Sequence, residues 1–178
     1  MTRALIATLA LALTADAAQD PVFVEDEWEA WNSSAVGSSV TFEIELAGRD
    51  VKTKRTVTLK SKGADSLVLV SQEEGGEPEE ETVEKPTEKP KPPDSNPKCT
   101  LCGKHAGAET RQTKEKLKIA GKEYECVRVD QKTIDCKGNT PFRESTWFSK
   151  EVPGWKVRVD TEIAGMKSTV ACTAFTKK

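Results

Sequence analysis

Residues 155–165 read WKVRVDTEIAG, and this stretch decides the fold. Trp155, Val157, Val159 and Ile163 keep one parity, while Lys156, Arg158, Asp160 and Glu162 keep the other. Successive side chains of a strand point to opposite faces, so a period of two describes a half-buried strand. Ile163-Ala164-Gly165 ends the pattern, and a run rich in Thr, Val and Ala follows from Met166 to Phe175. The same punctuation occurs at Leu46-Ala47-Gly48 and at Ile119-Ala120-Gly121. Gly opening a two-residue loop accepts positive φ at no steric cost, so type II′ hairpin turns are expected.

Alternation recurs outward from these turns. Val40, Phe42, Ile44 and Leu46 alternate with Thr41, Glu43 and Glu45. Val51, Val57 and Leu59 oppose Lys52, Lys54, Thr58 and Lys60, and Leu67 to Val70 is a short apolar run suited to a more buried strand. Leu117 and Ile119 alternate with Lys116 and Lys118, and Val127 and Val129 follow. No window carries a long 3.6-residue period. The expected fold is mainly β: a curved antiparallel sheet, an unclosed barrel or half-barrel, with a short N-terminal helix and a disordered internal linker. The helix is expected at Asp26 to Trp31, DEWEAW, where acidic residues complement its N-terminus. Trp28 and Trp31, three residues apart, share one face and would cover the sheet.

Two of the turns belong to a longer match. Trp31 precedes Val36 by five residues, as Trp147 precedes Val152; Gly37 precedes Gly48 by eleven, as Gly154 precedes Gly165. Pro153 is a one-residue insertion in the second copy. The pattern, W-x-S-x-x-V-(P)-G before a long hairpin, suggests an internal repeat.

Four segments follow. Residues 1–17 have a basic start at Arg3, an Ala/Leu-rich run from Ala4 to Ala15, and a small-x-small pattern at Ala15-Asp16-Ala17. This is the layout of a cleavable signal peptide, too short to span a bilayer. The expected address is therefore periplasmic or extracellular after cleavage near Ala17, and the mature chain is not expected to span a membrane. Residues 18–72 hold the helix and the first hairpins. Residues 73–98, EEGGEPEEETVEKPTEKPKPPDSNPK, carry almost nothing that can be buried and are expected to be a disordered acidic, Pro-rich linker. Residues 99–178 are a Cys-containing β region expected to complete the same sheet. The net charge of -2 argues against a nucleic-acid partner.

All five cysteines follow the linker: Cys99, Cys102, Cys126, Cys136 and Cys172. In an exported protein they are expected to form structural disulfides. Cys126 and Cys136 lie symmetrically about Gln131, so a hairpin there would make them cross-strand neighbours. Cys99 or Cys102 would then reach Cys172, leaving an odd thiol. The alternative is redox or metal chemistry at Cys99-x-x-Cys102, with His105 as a further ligand. Gly103 and Lys104 separate Cys102 from His105, which excludes the haem-attachment pattern. The single histidine and the absence of nucleophile or phosphate-loop motifs argue against an enzyme, and no cofactor is expected.

The run KLKIAGKEYEC from Lys116 to Cys126, followed by STWFSKEVPGWKVRVDTEIAG from Ser145 to Gly165, is similar to a group of exported bacterial proteins of unassigned function. More distantly, it resembles the outer-membrane lipoprotein carrier (lipoprotein-localisation factor) family. That resemblance implies an unclosed barrel whose apolar concave face is plugged by helices. Trp147, Val152, Pro153 and Gly154 would shape a strand entry, and Trp28 and Trp31 would belong to the plugging helix. The linker and the C-x-x-C depart from the carrier pattern. The function expected is a non-enzymatic exported protein holding an apolar ligand or envelope component on the concave sheet face; a purely structural or interaction module is the remaining alternative.

Overall fold

The computed structural model describes residues 23–48, 52–91, 109–134 and 141–178. Helix α1 (Glu27–Asn32) precedes strands β1 (Ser39–Leu46), β2 (Lys52–Lys62), β3 (Ser66–Glu73) and β4 (Glu79–Glu84). Strands β5 (Glu109–Ile119), β6 (Lys122–Ile134), β7 (Pro141–Phe148), β8 (Lys156–Ile163) and β9 (Met166–Thr176) follow. All nine strands form one antiparallel sheet in the order β4-β3-β2-β1-β9-β8-β7-β6-β5. One meander runs outward from β1 and the other runs inward from β5, so the first and last strands pair at the centre.

The sheet is open, since β4 and β5 end it without pairing to each other. It is nevertheless strongly curved. Cα atoms of β5 come within 8 Å of β9, four strands away, a separation of about 19 Å in a flat sheet at about 4.8 Å per strand. The Tyr124 and Phe175 rings meet at the same place, with centroids 5.4 Å apart. Register shifts beside Phe42, Leu59 and Trp147 mark irregularities of the kind that bend a sheet.

The expected helix is present. The Asp26 side chain caps it by accepting from the Glu29 N–H at 2.9 Å, and Glu27 and Glu29 lie in its first turn. Six residues are too few for an isolated helix to persist. Packing holds it: Ala30 and Trp31 are buried, and Trp28 packs against the same core. No helix among the described residues is long and apolar enough to cross a membrane, which says nothing of strands.

Three expectations are corrected. First, Ile119 pairs with Lys122 and Ile163 with Met166, so the loops are Ala120-Gly121 and Ala164-Gly165. Both loop residues have positive φ, 47° and 88° in one and 52° and 82° in the other, which is the type I′ pattern and not II′. The first connection is longer, because the pair flanking it is Glu45 with Lys52. Second, the segment read as linker carries β4. Val83 sits opposite Leu67 and packs on the core, and Lys60 pairs with Glu80. The edge of β3 offers backbone partners that acidic side chains do not obstruct, so low apolar content does not exclude a strand there. Third, β6 runs without a turn through Gln131. Cys126 and Ile134 are therefore about 26 Å apart at about 3.3 Å per residue. The hairpin about Gln131 is thus absent, and Cys136 lies outside the described residues.

Candidate functional site

Helix α1, strands β1–β3 and the turn between β7 and β8 frame an open groove of about 270 Å³. Its floor is one parity of adjacent strands: Val40, Phe42 and Ile44 of β1, Val57 of β2, Leu69 of β3 and Val170 of β9. Val40 lies opposite Val57, and Ile44 opposite Val170, so these side chains share a face. The wall is Trp31, Pro153 and Gly154. Gly154 has φ 71°, and a Cβ there would lie 2.8 Å from Trp31 Cε2. Glycine is therefore required twice over, by its backbone and by the indole resting on it.

The polar groups of the groove are few. Arg55 faces it from β2, directly opposite Phe42, and its Nε donates to the buried Ser71 Oγ at 2.5 Å. Among the described residues no carboxylate ion-pairs with Arg55. At the rim Lys156 pairs with Glu25 at 2.8 Å. Glu27 titrates above the usual carboxylate range, chiefly because burial disfavours its charge and then because Glu81 is near.

A second polar cluster lies on the opposite face. Arg128, Trp147 and Arg158 stand side by side across β6, β7 and β8. Both guanidinium carbons lie over the Trp147 ring, 4.9 Å and 5.3 Å from its centroid. Arg128 bonds Asp130 at 2.7 Å and Arg158 bonds Asp160 at 2.9 Å. Ser145 donates to Asp130 and Thr169 to Asp160, while the Trp147 Nε1–H donates to Glu115. Each guanidinium already holds its own aspartate, so neither is left to seek an anion. Sequence reading missed it, although the signal is plain: Val-Arg-Val-Asp occurs at 127–130 and again at 157–160. Alternation sends each Arg/Asp pair to one face and each Val pair to the other.

The other expected site residues fall as follows. Trp31, Pro153 and Gly154 meet at the groove, whereas Trp147 belongs to the second cluster. Trp28 packs on the core with the Lys85 ammonium 5.4 Å from its ring centroid. Gly48, Gly121 and Gly165 sit in turns with open space around them. The two copies of the sequence repeat agree from the glycines onward: Gly37 and Gly154 both have positive φ, and β1 and β8 are both eight residues long. They differ before them, since Trp31 is helical and Trp147 is in a strand. Cys126 and Cys172 are free and buried, not bridged. Burial raises both thiol pKa values, that of Cys172 to about 11. Cys99, Cys102, His105 and Cys136 lie outside the described residues, as do the signal segment and residues 92–98. No group of three or more metal-ligating side chains forms among the described residues.

No protein-family model and no curated protein matches this chain. Solved structures are similar in outline. One is a candidate exported protein with a YmcC-like fold from Bacteroides fragilis, with TM-score 0.47 and 10% identity, covering 81% of this chain and 97% of its own. Another is a candidate lipoprotein from Parabacteroides distasonis, with TM-score 0.46 and 9% identity, covering 80% of this chain and 96% of its own.

Proposed function

We propose that this chain is an exported, non-enzymatic binding protein that holds an apolar ligand or envelope component in the groove beneath α1. The observation that carries this reading is the floor of Val40, Phe42, Ile44, Val57, Leu69 and Val170, apolar side chains lining an open cavity. An apolar concavity with a few polar groups is the usual form of a small-ligand site. The Cys99-x-x-Cys102 and His105 chemistry stays the alternative, and the leader at residues 1–17 supplies the export. The test is a titration with the uncharged fluorophore N-phenyl-1-naphthylamine, which brightens in apolar surroundings. Saturable brightening is expected, and Phe42→Asp and Ile44→Asp each abolish it while the sheet stays folded by circular dichroism. No brightening, or brightening indifferent to both substitutions, rejects the groove as a binding site. Mass spectrometry of the exported chain, expected to begin at Ala18, tests the address.

A further inference from the structure

The groove joins an apolar floor to a few polar groups, and one of its cations, Arg55, stands among the apolar side chains. Arg55 stands in the floor opposite Phe42, with Ser71 orienting its Nε. The contrast with Arg128 and Arg158 is informative. Those two guanidiniums each hold an aspartate two residues along the strand. Arg55 holds a neutral hydroxyl and no carboxylate among the described residues. Of the carboxylates that line the same groove, Glu25 pairs with Lys156, and Glu81, opposite Leu69, lies near enough to Glu27 to raise its pKa. Glu73 is the cross-strand neighbour of Arg55 but makes no ion pair with it, so the remaining N–H donors of the half-buried guanidinium form a planar fork that matches an oxyanion.

We infer that the groove takes a single-chain anionic amphiphile, its chain on the floor and its oxyanion head on Arg55. This rests on the groove being a binding site at all and adds the class of head group. The volume of about 270 Å³ lies just below the roughly 300–1,000 Å³ of most ligand sites. That size suits one chain and not a two-chain lipid. Carboxylate and phosphate heads share the chemistry, so both are tested.

The full chain is titrated by calorimetry at pH 8 and low salt with dodecanoate, dodecyl phosphate, dodecanol and dodecylamine. One or both anions are expected to bind at least about tenfold tighter than dodecanol, with the better of them identifying the head. In Arg55→Gln the ratio of anion to alcohol affinity falls to about one, and Arg55→Lys retains part of it. Raising the salt shrinks the preference, as a charge contact requires. Equal affinity for dodecanol, a preference for dodecylamine, or an anion preference that survives in Arg55→Gln overturns the inference. Binding of dodecanol without discrimination leaves the apolar site standing and rejects only the head group. Binding of none of the four ligands rejects both. Sedimentation with phosphatidylglycerol vesicles is the last arm: a salt-sensitive preference for vesicles over dodecyl phosphate, lost in Arg55→Gln, also overturns the single-chain assignment.

Discussion

Several glycine turns of this fold differ in what a β-carbon would meet. Gly154 is the sharpest case, since a β-carbon would meet Trp31 Cε2 at 2.8 Å while Gly48 has nothing within 4 Å. Both have positive φ, so each replacement by alanine costs about 1–2 kcal/mol of backbone strain. Gly154→Ala adds about 1–3 kcal/mol of overpacking. Denaturant midpoints are expected to fall further for Gly154→Ala than for Gly48→Ala; equal shifts would show that the indole does not rest on the turn. The buried thiols give a pH dependence. Cys172 is raised to about 11 in the fold, against about 8.5 for a free thiol. The folded state therefore keeps its proton longer. That stability is fully present below about pH 8.5 and is lost as pH rises toward 11, at no more than about 1.4 kcal/mol per pH unit. Cys126 is raised in the same direction. Unfolding at pH 8 and pH 10.5 is expected to show this loss, and Cys172→Ala to lessen it. An unchanged loss in Cys172→Ala assigns the effect to other groups.

At the scale of elements, the sequence is most legible where burial and period coincide. The alternation in Val40 to Leu46 and in Trp155 to Ile163 locates β1 and β8, and the acidic DEWEAW locates α1. Legibility fails where backbone geometry decides. An Ala-Gly pair marks a turn, but its type depends on φ at the alanine, which composition does not reveal. Ala120 and Ala164 adopt the left-handed conformation because a type I′ loop matches the twist of its strands. Strand β4 is invisible for a related reason: only Val83 touches the core, and the rest of the strand is held by backbone pairing. The symmetry of Cys126 and Cys136 about Gln131 misleads because spacing alone cannot distinguish a hairpin from one long strand. The turns can be tested directly. Asparagine tolerates positive φ better than alanine, so Ala120→Asn and Ala164→Asn are each expected to stabilise the fold by up to about 1 kcal/mol. Lower thermal midpoints in both variants would contradict the turn assignment.

At the scale of the molecule, the pairing of β1 with β9 ties the two ends of the chain together. The core crosses the same seam, since Trp31 and Val40 share a cluster with Val152, Val157 and Cys172. Neither half buries its share alone. Residues 18–91 and residues 92–178, expressed separately, are expected to lack cooperative unfolding and to regain a sheet spectrum when mixed. Cooperative unfolding of either fragment by itself would show two independent units. The groove depends on the same union, because its wall at Pro153 and Gly154 comes from the second half and its floor largely from the first. The most direct measurement of the central claim is a methyl-resolved NMR titration of the full chain with dodecanol, an uncharged chain that asks only whether the groove is a site. The methyls of Val40, Ile44, Val57, Leu69 and Val170 are expected to shift together and saturate, while Val127 and Val129, in a separate cluster with Phe148, stay in place. Shifts centred on Val127 and Val129, or no saturable shift anywhere, would contradict it.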